Sequence, residues 1–232
     1  MDTFLKRYGQ PIVYKIISPL INLLVRLGIS PNMVTTFGFL LNIVATVIFI
    51  MGANEPHTDL SYVGWGGAVI LFAGLFDMID GRLARVSKTE SVFGALYDSV
   101  LDRYSELVMF LGICYYLVAQ NYFYSSLFAF IAMIGSIMVS YVRARAEGLR
   151  IECKSGLMQR PERIILIGSS AILCALIEYF WGAFKYRIPN TDFPLFENIS
   201  IFTIAIFILA LLTNWTAMQR LRECSDFLDK NK

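Results

Sequence analysis

Residues 77–102 read DMIDGRLARVSKTESVFGALYDSVLD, and the spacing of their acids decides how the chain is built. Asp77 and Asp80 stand three residues apart, and Asp98 and Asp102 stand four apart. On a helix either spacing puts both side chains on one face. The pattern is D-x2-D-G-x2-A-R-x8-G-x3-D-x3-D, with a turn expected around 86–93. Antiparallel packing of two consecutive helices would set one acidic pair opposite the other. Carboxylates facing one point repel unless a cation lies among them. No His or Cys stands nearby, which suits a hard, oxygen-seeking cation, Mg2+ or Mn2+, as one or two ions. Gly81, Ala84 and Gly94 are small enough for close helix approach, and Arg85 offers a guanidinium to a phosphate or a carboxylate.

The surroundings of this stretch are those of a membrane protein. Of 232 residues, 56% are hydrophobic and 16% charged, against about 25% charged in an ordinary soluble domain. Several apolar runs reach the roughly 20 residues needed to cross a bilayer. Strand-like alternation is weak, which argues against an outer-membrane barrel. The expected fold is an all-α polytopic membrane protein, one domain over 1–232. It comprises an amphipathic N-terminal segment (1–31) and a six-helix bundle (32–232). Residues 11–27, PIVYKIISPLINLLVRL, are interrupted by Lys15, Pro19 and Arg26, as in a helix lying in the membrane interface. Ser30 is placed to cap the next helix, with Pro31 in its first turn. Six transmembrane helices are expected at about 33–52, 62–81, 95–119, 122–144, 162–182 and 198–218.

Basic residues set the orientation. Eighteen of the twenty Lys and Arg fall on the side of the acidic motif, and only Lys185 and Arg187 fall opposite. The acids and both termini are therefore expected in the cytoplasm, at the edge of an integral membrane protein. No cleavable signal pattern is seen at the N-terminus. The net charge of +2 does not point to nucleic acid. Cys114, Cys153, Cys174 and Cys224 have no CxxC pairing and read as free thiols. His57 reads as a solvated loop residue.

An acid cluster holding divalent ions at a lipid–water boundary suits chemistry on a phosphorylated lipid. The ions would neutralise a pyrophosphate, and one carboxylate not fully committed to metal would take a proton from an attacking hydroxyl. Two other readings compete. The acids could form salt bridges with nearby arginines, or they could mark an ion pathway. Against a pathway, they cluster at one edge, and no polar chain crosses the other spans.

Asp77, Asp80, Gly81, Ala84, Arg85, Gly94, Asp98 and Asp102 match, without gap or substitution, the signature of the CDP-alcohol phosphotransferase family, and the whole chain resembles it. That resemblance implies transfer of a phosphatidyl or similar group from a CDP-linked donor to an alcohol, releasing CMP. It implies Asp77, Asp80 and Asp98 as metal ligands, and Asp102 as general base and further metal contact. It implies Gly81, Ala84 and Arg85 along the CDP portion, and a homodimer.

Residues 140–163, SYVRARAEGLRIECKSGLMQRPER, bear on the acceptor. Arginines beside a metal site form a pocket for a second phosphate, although cytoplasmic loops collect Arg in any case. The runs 141–147 and 160–163 resemble those of the prokaryotic phosphatidylinositol-phosphate synthases, which join CDP-diacylglycerol to inositol phosphate. The resemblance implies Arg143, Arg163 and Arg220 as ligands of the acceptor phosphate, with Arg145 and Arg160 as further candidates. Arg143 stands where those enzymes often have Lys. Glycerol-3-phosphate is the main competing acceptor; free inositol or serine would not need so basic a pocket. The non-enzyme alternatives are a transporter and a lipid-binding scaffold.

Overall fold

The computed structural model describes residues 10–56, 59–151, 156, 158–187 and 194–230. His57 and Cys153 lie outside them. The described elements are helices α1 (Gln10–Arg26), α2 (Pro31–Gly52), α3 (Ser61–Ser87), α4 (Val92–Ala119), α5 (Phe123–Gly148), α6 (Arg160–Trp181) and α7 (Ser200–Lys230). A two-stranded hairpin, β1 (Lys185–Arg187) and β2 (Pro194–Glu197), lies between α6 and α7.

The helix starts follow local chemistry. Ser30 caps α2 by accepting the Met33 N–H at 3.4 Å, and Pro31 occupies the first turn. Ser91 caps α4 by accepting the Gly94 N–H at 2.9 Å, answering donors that a helix start leaves unpaired. Pro161 stands in the first turn of α6. Lys88 closes α3 with φ 55°, its N–H turned back to the last carbonyls. Cys114, Cys174 and Cys224 are free thiols.

The protein is a polytopic helical membrane protein. Five helices (α2, α3, α5, α6 and α7) are long and apolar enough to cross a bilayer. The sequence predicts six spans. The helix that falls short is α4, whose first half carries Asp98, Asp102, Arg103 and Glu106.

Helix neighbours differ from expectation in one respect. Although α3 and α4 are consecutive, they do not pack closely on one another. Helix α3 packs on α2 and α6, while α4 packs on α2 and α5. The two acidic helices therefore face each other across a gap, with α2 behind it and the start of α6 reaching in. Two glycines bring α3 and α6 together. A Cβ at Gly67 would meet Ala171 Cβ at 2.6 Å and the Gly168 carbonyl at 2.8 Å, so side chains larger than hydrogen would force the backbones apart. The central core, with Phe49, Phe110, Ile113 and Phe202 fully buried, lies away from the acids. Helix α1 packs Ile17 and Ile21 on Ile79 and Leu83 of α3, directly behind the motif.

The hairpin is a feature the sequence does not announce. Tyr186 pairs with Phe196 in antiparallel register, and Phe184 stacks on Phe196 with ring centres 5.8 Å apart. Asn198 pins its base, accepting from the Phe184 N–H at 2.7 Å and donating to the Gly182 carbonyl at 3.1 Å.

Candidate active site

The four motif acids come from two helices, as the spacing predicts, and they lie within electrostatic reach of one another. What joins them is an arginine from a third helix. Arg160, the first residue of α6, pairs with Asp77 Oδ2 at 2.7 Å and Asp102 Oδ1 at 2.5 Å. The salt-bridge reading of the sequence is thus realised for these two acids. Arg160, a further candidate for the acceptor phosphate, has its guanidinium turned to the acids. Among the described residues, no three acid, His or Cys side chains are gathered tightly enough to hold an ion as they stand.

Asp80 is the most enclosed acid. It is 4% exposed. Its Oδ2 accepts a 2.8 Å bond from the Thr35 hydroxyl on α2, and its Oδ1 accepts the Gly81 N–H at 2.5 Å. These two donors fix the carboxylate while removing it from water. A further bond, 2.9 Å between Thr36 and Tyr97, ties α2 to the start of α4. The donor set fits a divalent cation in two respects. It is made of carboxylate oxygen alone, the chemistry that Mg2+ and Mn2+ prefer. In addition, a positive group already sits between Asp77 and Asp102, where an ion shared by the two pairs would be needed.

A cavity of about 320 Å³ opens beside the acids, with Asp98, Asp102, Arg143, Arg160, Arg163 and Arg220 among its walls. The expected arginines thus reach one space, but in different conditions. Arg163 is 1% exposed. Its Nε and Nη2 grip the carboxylate of Glu106 on α4 at 2.7 and 3.1 Å, and its Nη1 donates to the Met158 carbonyl at 3.1 Å. This is a structural clamp between α4 and α6 before it is anything else. Arg220, also buried, donates to the Val139 carbonyl at 2.8 Å and so ties α7 to α5. Arg143 is different: it is half-exposed and, among the described residues, pairs with Glu147, one turn on, at 2.9 Å. Arg145, the other further candidate, is exposed and is not among the walls of this cavity.

Gly81, Ala84 and Arg85 do not line this cavity. They follow Asp80 along α3, half-buried or exposed, with Arg85 Nε donating to the Gly81 carbonyl at 2.8 Å. Two residues escape the motif reading: Glu106 and Thr35. Glu106 stands one turn after Asp102 at the head of an apolar run that begins at Leu107, and an acid beside such a run needs a partner. Thr35 had no comparable signal, since its role depends on α2 lying against α3.

An acid set divided between α3 and α4, beside an arginine-lined cavity, suits an enzyme of metal-assisted phosphoryl-group transfer. The sequence profile of the CDP-alcohol phosphatidyltransferases matches residues 28–220. The chain belongs to that family and is an enzyme. It is 33% identical over 210 residues to a phosphatidylinositol phosphate synthase of Mycobacteroides abscessus, covering 89% of this chain and 88% of the relative. It is 30% identical over 212 residues to an archaetidylinositol phosphate synthase of Methanothermobacter thermautotrophicus, covering 91% and 90%. It resembles the crystal structure of the Mycobacterium tuberculosis phosphatidylinositol phosphate synthase with CDP-DAG bound, at TM-score 0.71 and 26% identity over 90% of this chain and 94% of that one. A second crystal structure of that synthase, in complex with manganese and citrate, matches at TM-score 0.68 and 26% identity over 89% and 87%.

Proposed function

We propose that this enzyme transfers the phosphatidyl group of CDP-diacylglycerol to a hydroxyl of inositol phosphate, giving phosphatidylinositol phosphate and CMP. One observation carries the reading: a single cavity has both Asp98 and Asp102 and the arginines Arg143, Arg160, Arg163 and Arg220 on its walls. The carboxylates suit the reacting pyrophosphate through a cation, and the arginines suit a phosphate carried by the acceptor. The named relatives support the same acceptor.

Asp77, Asp80, Asp98 and Asp102 are the residues that would hold one or two Mg2+ or Mn2+ ions. When bound, such an ion supplies charge neutralisation on the donor's pyrophosphate. Asp102 takes the proton of the acceptor hydroxyl. The hydroxyl oxygen bonds to the lipid-side phosphorus, and the bond from that phosphorus to the bridging oxygen of the CMP portion breaks. Gly81, Ala84 and Arg85 form the open strip of α3 along which the CDP portion lies. Arg143 and Arg220 hold the acceptor phosphate, and Glu106 fixes Arg163 at the back of the pocket.

The same reading extends to the membrane. Helix α4 is the sixth span, its charged half facing the site and its apolar half, from Leu107 on, facing the bundle. Helix α1 lies in the interface. The site and both termini face the cytoplasm, by the distribution of Lys and Arg. The chain is one catalytic domain in a prokaryotic cytoplasmic membrane, working as a homodimer. The test is CMP release from CDP-diacylglycerol by the purified protein, with and without Mg2+ or Mn2+, offering inositol phosphate, glycerol-3-phosphate, inositol and serine in turn. Metal-dependent release with inositol phosphate alone is expected. Preference for glycerol-3-phosphate, or equal use of free inositol, would overturn the acceptor assignment. Failure to release CMP with any acceptor would overturn the transfer reaction.

A further inference from the structure

We propose that Arg160 is a resident cation that couples metal binding to acceptor binding. It is held by Asp77 and Asp102 until the acids take a divalent ion, and it then turns to the phosphate of the acceptor. The inference rests on the function proposed above and adds a positioning role for one residue of that site.

The geometry is specific. One guanidinium joins an acid from each helix, at 2.7 Å to Asp77 and 2.5 Å to Asp102. Without a counter-charge the acids of α3 and α4 would repel across the gap between their helices. Arg160 supplies one in the absence of metal and so keeps the two halves of the site at their working separation. An ion bridging Asp77 Oδ2 and Asp102 Oδ1 would need the position that Arg160 Nη1 occupies between those two oxygens, and like charges at that range repel in a partly desolvated site. When the acids bind an ion, Arg160 must leave.

It has somewhere to go. Arg160 lines the same cavity as Arg143, Arg163 and Arg220. Its side chain is 20% exposed, whereas Arg163 is 1% exposed and locked on Glu106. Arg160 also stands at the N-terminal end of α6, where the helix dipole disfavours a cation. Its placement there is explained by its anionic partners and not by its helix. A phosphate in the cavity offers it an equivalent bidentate partner. Release also frees Asp102, which cannot accept a substrate proton efficiently while its carboxylate is paired with a guanidinium.

The consequence is reciprocal. If the acceptor phosphate draws Arg160 away, it must tighten metal binding, and metal must tighten acceptor binding by the same factor. The experiment is Mn2+ binding to the full-length purified protein, read by the EPR signal of free Mn2+, in wild type, Arg160→Gln and Arg160→Lys, each with and without inositol phosphate. Arg160→Gln is expected to bind Mn2+ at least roughly fivefold tighter than wild type without acceptor, the lower end of ordinary coupling between sites. Arg160→Lys should fall between. Inositol phosphate should tighten Mn2+ binding in wild type and leave Arg160→Gln unchanged. Equal Mn2+ affinity in wild type and both variants, or an acceptor effect that survives in Arg160→Gln, would overturn the coupling and leave the metal-site reading intact. Wild type that binds no Mn2+ would overturn both. Arg160→Lys retains a cation between the acids, so its affinity decides the question if Arg160→Gln does not fold.

Discussion

Arg163 on α6 donates twice to Glu106 on α4, at 2.7 and 3.1 Å, and the two side chains are 1% and 6% exposed. A pair this deeply buried is one whose partners depend on each other. Removing one leaves the other charged and unpaired, at a cost of about 3–5 kcal/mol. Arg163→Ala is therefore expected to lower the thermal unfolding midpoint in detergent sharply, as is Glu106→Ala. The double variant Glu106→Leu, Arg163→Met should recover most of that loss, because a well-packed apolar pair replaces a buried ionic one at little cost. A double variant no more stable than the singles would show that the clamp is not a simple pair. Loss of activity in Arg163→Ala alone is accordingly no measure of acceptor binding.

Arg143 is the better probe of the acceptor. It lines the cavity, and its partner is Glu147, with both side chains more than half exposed. An exposed pair of this kind contributes little to stability, so Arg143→Gln should fold as wild type does. Loss of a charge-assisted contact to phosphate, about 1.5 kcal/mol, predicts that KM for inositol phosphate rises roughly tenfold. KM for CDP-diacylglycerol should stay within about twofold, which is well under 1 kcal/mol. Steady-state kinetics with each substrate varied in turn checks both halves.

Thr35 fixes Asp80 by a 2.8 Å bond. Thr35→Val keeps the shape of the side chain and removes the donor. With a hydrogen bond to a charged group contributing about 1.5–3 kcal/mol, the Mg2+ concentration giving half-maximal CMP release should rise roughly tenfold or more. An unchanged Mg2+ requirement would separate Asp80 from the metal.

Gly67 sets how closely α3 approaches α6, the two helices that carry Asp77 and Arg160. Gly67→Ala drives a methyl group toward the Gly168 carbonyl, 2.8 Å away. Overpacking of this kind costs about 1–3 kcal/mol. The variant should be less stable and also less active at saturating substrate, although it lies outside the site. Thermal unfolding and the CMP-release rate together test this.

Asp102 is the proposed base. Asp102→Asn keeps the size of the side chain and removes the proton acceptor, so CMP release should fall by about 10²–10⁴-fold, the usual contribution of general base catalysis. Chelation of divalent metal should abolish release in wild type, and added Mg2+ or Mn2+ should restore it. Release by Asp102→Asn at the wild-type rate would remove Asp102 from that role.

The sequence was most legible where a short-range rule governs. Spacings of three and four within one helix fix which acids share a face, and Ser30 and Pro31 mark a helix start that the structure reproduces. The helices run beyond the expected spans at the ends nearest the acids. Helix α3 continues to Ser87, α5 to Gly148 and α7 to Lys230, because hydropathy ends at the membrane boundary whereas backbone hydrogen bonding does not. What depends on which helices are neighbours stayed hidden. That α2 stands behind the gap between α3 and α4, that Thr35 reaches Asp80, and that Arg160 reaches Asp77 all follow from tertiary packing. No local spacing encodes them. The difference between Arg143 and Arg145 is of the same kind: residues two apart on a helix point in different directions, and Arg143 lines the cavity while Arg145 is exposed outside it.

The length of α7 has a practical consequence. Its 31 residues correspond to about 46 Å at 1.5 Å per residue, well beyond the roughly 30 Å hydrocarbon layer. One of its overhanging turns packs Cys224 against Ala146 and Ile151, which ties that turn to the end of α5. A fluorophore or spin label placed near Asp229 would report the tilt of the whole bundle relative to the bilayer.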